Sequence, residues 1–215
     1  MTIPAPASRP IAAQRGAVKA GLLIVLVVLG VAAFLGISQY NGLVGGQETV
    51  AAKWQEIDNQ YKRRFDLIPN LVETVKGAAE FERSTLDAVV QARAKVGQAQ
   101  LPTNVPTDPD KLRAYVQAQQ GLGSALGRLF AVAENYPKLT ATQSYLSLQD
   151  QLEGTENRIA VARRDYIDAV RAFNTKRRSF PANLLANTFG FEAAESLPEE
   201  EAVRETPSVQ FGENG

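Results

Sequence analysis

Between Ala20 and Ile37 the chain carries no charged residue; it reads LLIVLVVLGVAAFLGI from Leu22, and the uncharged stretch runs on to Gln47. Crossing ~30 Å of hydrocarbon takes about 20 helical residues at ~1.5 Å each. The run is long enough, and it shows no polar side, so it predicts a transmembrane helix over residues 20–39. The competing reading is a cleaved signal peptide, with Gly36 and Ser38 as small residues near a cut. The apolar run exceeds the 7–15 residues usual for such a leader, and no cysteine is present for a lipoprotein cut, so retention is expected.

Past this run, apolar residues recur at helical spacing in four blocks. The first holds Val50, Trp54, Ile57, Tyr61, Phe65 and Ile68. The second is expected to start at Pro69, a residue suited to a first helical turn, and holds Leu71, Val75, Ala78, Leu86, Val89 and Val96. Residues 101–110, LPTNVPTDPD, read as a loop with Asp108 ready to cap the next helix. The third block runs Leu112, Tyr115, Gln119, Leu122, Leu126, Leu129, Ala133, and Asn135-Tyr136-Pro137 ends it. The fourth runs Tyr145, Leu148, Leu152, Thr155, Ile159, Ala162, Tyr166, Ala169, Phe173.

Steps of three and four make a coiled-coil-like seam, and no run alternates as a strand would. The expected fold is all-α: an antiparallel up-down four-helix bundle over residues 40–191, on a single N-terminal transmembrane helix. Residues 1–19, with several prolines and little bulk, are expected to be a disordered cytoplasmic tail. Residues 192–215 carry seven Glu and one Arg without apolar period, and are expected to be a disordered acidic tail.

Charge and composition narrow the function. Arg9, Arg15 and Lys19 precede the apolar run and the first cation after it is Lys53. The positive-inside rule therefore puts the N-terminus in the cytoplasm and the rest on the far side of the cell (inner) membrane. Lys+Arg and Asp+Glu each total 23, so the net charge is zero, which argues against a nucleic-acid partner. The chain has neither Cys nor His. That excludes disulfides, thiolate chemistry and every His-based triad or metal motif. No cofactor is expected.

Several polar positions stand out. Lys62-Arg63-Arg64 precedes Asp66, Pro69 and Asn70; it reads as dipole compensation near a helix end, or as an Arg clamp on a neighbouring helix. Gly154, in Glu153-Gly154-Thr155-Glu156-Asn157-Arg158, sits inside a helix where Gly costs about 1 kcal/mol; tight helix packing is the expected reason. Lys176-Arg177-Arg178 ends the fourth helix, as dipole compensation or as a contact with anionic lipid. Glu82, Gln119 and Thr155 interrupt the apolar seams at comparable depth. They predict one polar layer at mid-height near Trp54, with Arg158 as counter-ion for Glu82 and helix register as its use. A small polar pocket opened by Gly154 is the alternative.

Three signatures are recognisable together. The first is Tyr40-Asn41-Gly42-Leu43-Val44 with Trp54 and the run Lys62 to Gly77; the second is Leu148-Gln149-Asp150 with Leu152 to Arg164; the third is Phe180-Pro181, Asn183-Leu184 and Phe189-Gly190-Phe191. Over residues 38–191 the chain resembles the LemA family. Phe81 and Ala78 depart from the His and Tyr that this family often has there. The resemblance implies a membrane-anchored helical bundle, similarity to a magnetosome-membrane component and association with a membrane heat-shock metalloprotease. It brings no catalytic or ligand residues.

The leading functional expectation is a non-enzymatic membrane scaffold or adaptor. Its partners are the lipid bilayer and envelope proteins, a membrane protease among them, with self-association left open. The second is membrane binding or remodelling; the third, a carboxylate-metal hydrolase.

Overall fold

A computed structural model describes residues 11–78, 81–99 and 105–198. Among these the secondary structure is entirely helical: α1 (Ile11–Lys76), α2 (Arg83–Gln98), α3 (Pro109–Ala133), α4 (Pro137–Thr140), α5 (Gln143–Arg178) and α6 (Ala182–Phe189). The expected disorder of residues 1–10 and 199–215 lies outside the described residues. Residues 11–19 are helical rather than a loose tail.

The chain divides into two compact units. One takes α1 as far as Gly45 together with Lys176–Phe191; the other runs from Gly46 to Thr175 and resumes at Glu192. In the first unit α1 carries a stretch long and apolar enough to cross a membrane, and its large side chains from Leu22 to Ile37 are exposed. A Cβ on Gly42 would fall 1.8 Å from the Lys176 Nζ, so this glycine admits the lysine side chain against α1. The Tyr40 ring meets Phe189 and Phe191 edge-on, with centroids 5.1 and 5.7 Å away. α6 ends on Gly190, whose φ of 72° favours glycine. The Phe180–Pro181 peptide before α6 is cis.

The second unit is built on one core cluster. It gathers Ile68, Leu71 and Val75 of α1, Leu86 and Val89 of α2, Leu122 and Leu129 of α3, Leu139 of α4, and Tyr145 and Leu152 of α5. α2 packs along α3. Along α1 and α5, Lys53 pairs with Asp165, Gln60 with Arg158 and Arg64 with Glu156. Partner numbers fall as α1 numbers rise, so within this unit the two helices run antiparallel.

The expected turn at Pro69 is corrected: Pro69 lies inside α1, which continues to Lys76, and α2 begins only at Arg83. A proline at this position cannot donate to the carbonyl four residues earlier, which is that of Phe65. Arg93 of α2 donates its Nε to that carbonyl at 3.4 Å, while its guanidinium lies 3.9 Å from the Phe65 ring centroid. A neighbouring helix thus supplies the missing donor, and the helix continues through its proline. Phe81, between α1 and α2, is buried with its ring 5.0 Å from that of Tyr136.

The third seam is buried at every expected position. The Asp108 carboxylate accepts from the backbone N–H of Asp110 and Lys111, capping α3 as expected. In α5 the phase drifts: Val170 is buried and Ala169 only half-buried. A straight helix of 3.6 residues per turn departs from a strict 3.5 repeat over such a length.

The acidic tail is also corrected in part. Residues 192–198 are irregular, with Ala194 and Leu197 buried. Asn174 brackets Ala194, donating to its carbonyl at 2.8 Å and accepting from its N–H at 3.1 Å. Tyr166 donates to the Glu195 carbonyl at 2.7 Å, and the Glu195 N–H donates to the Pro106 carbonyl at 2.9 Å.

Candidate functional site

A polar network crosses the second unit, centred on Arg64. Its position falls on the buried face of α1, between Tyr61 and Ile68, and the side chain is only 3% exposed. Arg64 donates to the Glu156 carboxylate at 2.7 Å, to the Gln119 side-chain oxygen at 2.7 Å and to the Gln119 carbonyl at 3.1 Å. Gln119 in turn donates to the Tyr115 hydroxyl at 3.1 Å. The Arg64 guanidinium also lies 5.2 Å from the Tyr61 ring centroid. Its Nε is buried without a hydrogen-bond partner. The Arg clamp expected at residues 62–64 is therefore made by Arg64, and its carboxylate comes from α5.

Arg163, also buried, donates to the Tyr61 hydroxyl at 3.4 Å and to the Pro198 carbonyl at 3.3 Å. Trp54 lies among these aromatics, its ring 6.0 Å from Tyr115 and 5.5 Å from Tyr166. Burial pushes the Tyr115 and Tyr166 hydroxyls well above the ordinary tyrosine range. An open cleft of about 470 Å³ overlies the network, bordered by Tyr61, Arg64, Gln119, Gly123, Glu156 and Arg163.

Of the polar layer expected from Glu82, Gln119 and Thr155, only Gln119 joins the Arg64 network. Glu82 is corrected: it is exposed at the N-cap of α2 and accepts from Ser84. Its expected depth assumed that the second helix began near Pro69, and the run of α1 to Lys76, with α2 starting at Arg83, removes that premise. Arg158 is no counter-ion to it. It bonds Gln60 at 3.1 Å and Thr155 at 3.2 Å. Thr155 is buried and donates back to the Gln151 carbonyl of its own helix at 2.7 Å.

Gly154 is corrected too. The only atoms near a Cβ placed there belong to Arg158, at 3.6 and 3.7 Å, which is ordinary contact rather than close helix packing. Arg63, Asp66, Pro69, Asn70 and Asn157 are exposed and do not converge. Glu156, Tyr115 and Arg163 were missed, although Arg64 stands in phase with Ile57, Tyr61 and Ile68, a spacing that marks it as a core arginine in need of an acceptor. Among the described residues no group of three or more acidic side chains is placed to hold a metal ion.

In the first unit Lys176 and Arg177 are half-buried and structurally engaged. Lys176 lies over Gly42, and Arg177 donates to the Phe191 carbonyl at 2.6 Å. Arg178 is exposed.

The LemA family profile matches residues 53–211, most of the chain. The chain belongs to the LemA family. The matched part includes the whole of the Arg64 network. Magnetosome protein MamQ 2 of Paramagnetospirillum magneticum is 31% identical over 213 residues, covering 91% of this chain and 77% of that protein. Magnetosome protein MamQ of Magnetospirillum gryphiswaldense is 27% identical over the same coverage. Protein LemA of Metamycoplasma hominis is 26% identical over 165 residues, 77% of this chain and 71% of that protein.

Proposed function

We propose that this LemA protein is a non-enzymatic, membrane-anchored scaffold that presents a rigid helical body to other envelope proteins. In this reading Leu22–Ile37 spans the cell membrane once, with the N-terminus in the cytoplasm. α1 beyond Gly46, α2, α3 and α5 form an antiparallel up-down four-helix bundle on the other side. The antiparallel pairing of α1 with α5 and the shared core support the bundle.

One observation carries the adaptor reading. Two buried arginines of the helical body are engaged within it: Arg64 with Glu156 and Gln119, Arg163 with Tyr61. Groups tied up in this way fix helix register, the best-attested use of polar groups in such seams. A chain without His or Cys also lacks the commonest general acid–base group and any thiolate nucleophile. The test is affinity purification of the full chain from detergent-solubilised, lightly crosslinked membranes. A reproducible set of co-purifying membrane proteins, or of copies of the chain itself, is expected. Recovery of the chain alone in repeated experiments contradicts the adaptor role.

A second reading, membrane remodelling, draws on the relatives named magnetosome proteins and on Lys176-Arg177-Arg178 beside an uncharged segment. It expects vesicles carrying the full chain to narrow or tubulate under electron microscopy, where an adaptor leaves their shape unchanged.

A further inference from the structure

Helix α6 buries two small residues and leaves large apolar side chains in and beside it exposed. Ala182 and Ala186, four residues apart and both small, are buried. Phe180, just before the helix, is 80% exposed; Leu184, on the side away from the two alanines, is 58% exposed, and Phe189, at the helix end on the side of Ala182, is 60% exposed. The large side chains between Leu22 and Ile37 are likewise exposed, by 50–72%. No charged residue occurs from Ser179 to Phe191, while Lys176, Arg177 and Arg178 stand immediately before. The place of α6 along α1 is fixed by Tyr40, whose ring contacts Phe189 and Phe191. Tyr40 lies three residues beyond Ile37, about 4.5 Å further along the helix axis. Aromatic rings are favoured at that level, where hydrocarbon gives way to headgroups.

We propose that α6 is an interfacial helix, with Phe180, Leu184 and Phe189 entering the headgroup–acyl boundary of the leaflet at the C-terminal end of the apolar span. The occupant of this apolar surface is the bilayer itself. The surface is continuous with the span through the Tyr40–Phe189 contact, it carries no charge to desolvate, and the cations that precede it suit a phospholipid surface. A short helix can lie in this interface with its exposed apolar side chains at the headgroup–acyl boundary. The α1 span and α6 together hold the unit by two points, which fixes its rotation about the membrane normal where a single span does not. The proposal rests on the reading of Leu22–Ile37 as a membrane span.

The absence of cysteine allows single nitroxide labels in the full chain. Phe34→Cys reports the span, Leu184→Cys and Phe189→Cys report α6, and Ser144→Cys, an exposed residue of α5, reports water. The chain is reconstituted in vesicles of phosphatidylcholine with phosphatidylglycerol, and each label's collisions with oxygen and with a water-soluble nickel chelate are measured. The expected result is a nickel collision rate several-fold lower at Leu184 and Phe189 than at Ser144. Both should be oxygen-rich and shallower than Phe34. If Leu184 and Phe189 meet nickel as freely as Ser144 while Phe34 is shielded, the span stands and the proposal falls. If Phe34 also meets nickel freely, the span reading fails and takes the proposal with it. Shielding from both reagents, with dipolar broadening between labels on separate chains, assigns the surface to a second copy and overturns the proposal.

Discussion

At the scale of single residues, Arg64 shows how a charge is kept inside the helical body. An exposed ion pair contributes little, but here one partner is 3% exposed and the other 61%. Removing Glu156 leaves a buried cation with only the neutral oxygens of Gln119. Glu156→Ala is therefore expected to lower stability by about 1–3 kcal/mol, and a double-mutant cycle with Arg64→Met should recover most of that loss as coupling. A cycle that closes within a few tenths of a kcal/mol contradicts the network. Gly154 leads to the opposite sign. Its Cβ position meets only the Arg158 side chain at ordinary distance, so Gly154→Ala should raise stability by about 0.5–1 kcal/mol through helix propensity, read by denaturant unfolding. Destabilisation there indicates a packing role. The buried tyrosines give the pH dependence. The folded hydroxyls of Tyr115 and Tyr166 are raised above the unfolded value of about 10. Their contribution is complete below that value and is lost as pH rises beyond it, because the unfolded chain ionises first. The melting temperature should fall above pH ~10, and Tyr115→Phe should flatten that fall. Of these residues the sequence pointed to Gln119 and to Arg64 as an Arg clamp. It could not show that Glu156, exposed on its own helix, reaches the arginine, because that depends on the register of α5 against α1.

At the scale of elements, apolar periodicity was a sound guide wherever local signals agreed. The α3 seam and its Asp108 cap are cases in point. It was misleading at Pro69, where a strong local signal met a tertiary answer. The donor that keeps α1 whole comes from Arg93, far along the chain, and no local rule reveals it. Arg93→Met should cost about 1 kcal/mol in the native sequence and distinctly less in a Pro69→Ala background, where the new backbone N–H serves the Phe65 carbonyl. Equal costs in both backgrounds contradict that role. The start of the acidic tail was misplaced for a related reason. Composition marked residues from Glu192 as unable to pack, yet Ala194 and Leu197 are buried and the backbone is held by Asn174 and Tyr166. Truncation after Pro198 should leave the melting temperature of the remaining chain unchanged. Truncation after Phe191 should lower it by more than about 4 °C, at the 2–4 °C per kcal/mol usual for this size. An equal effect of the two truncations means that residues 192–198 contribute nothing.

At the scale of the whole molecule, the all-helical class and the LemA family were legible in the sequence, because both are written in long uninterrupted runs. A function was not, since these runs contain neither Cys nor His and no motif that points to one chemistry. The proposed function rests first on the chain being fixed in a membrane by Leu22–Ile37, with everything from Tyr40 on beyond the cytoplasm. One measurement tests this most directly. Single cysteines are placed at Ser8, before the span, and at Ser144, in α5, and living cells stripped of outer envelope layers are treated with a membrane-impermeant maleimide. Labelling of Ser144→Cys in intact cells, with Ser8→Cys labelled only after the membrane is opened, is the result expected. Labelling of Ser8→Cys in intact cells while Ser144→Cys stays protected, or release of the chain from the membrane by alkaline extraction, contradicts the account.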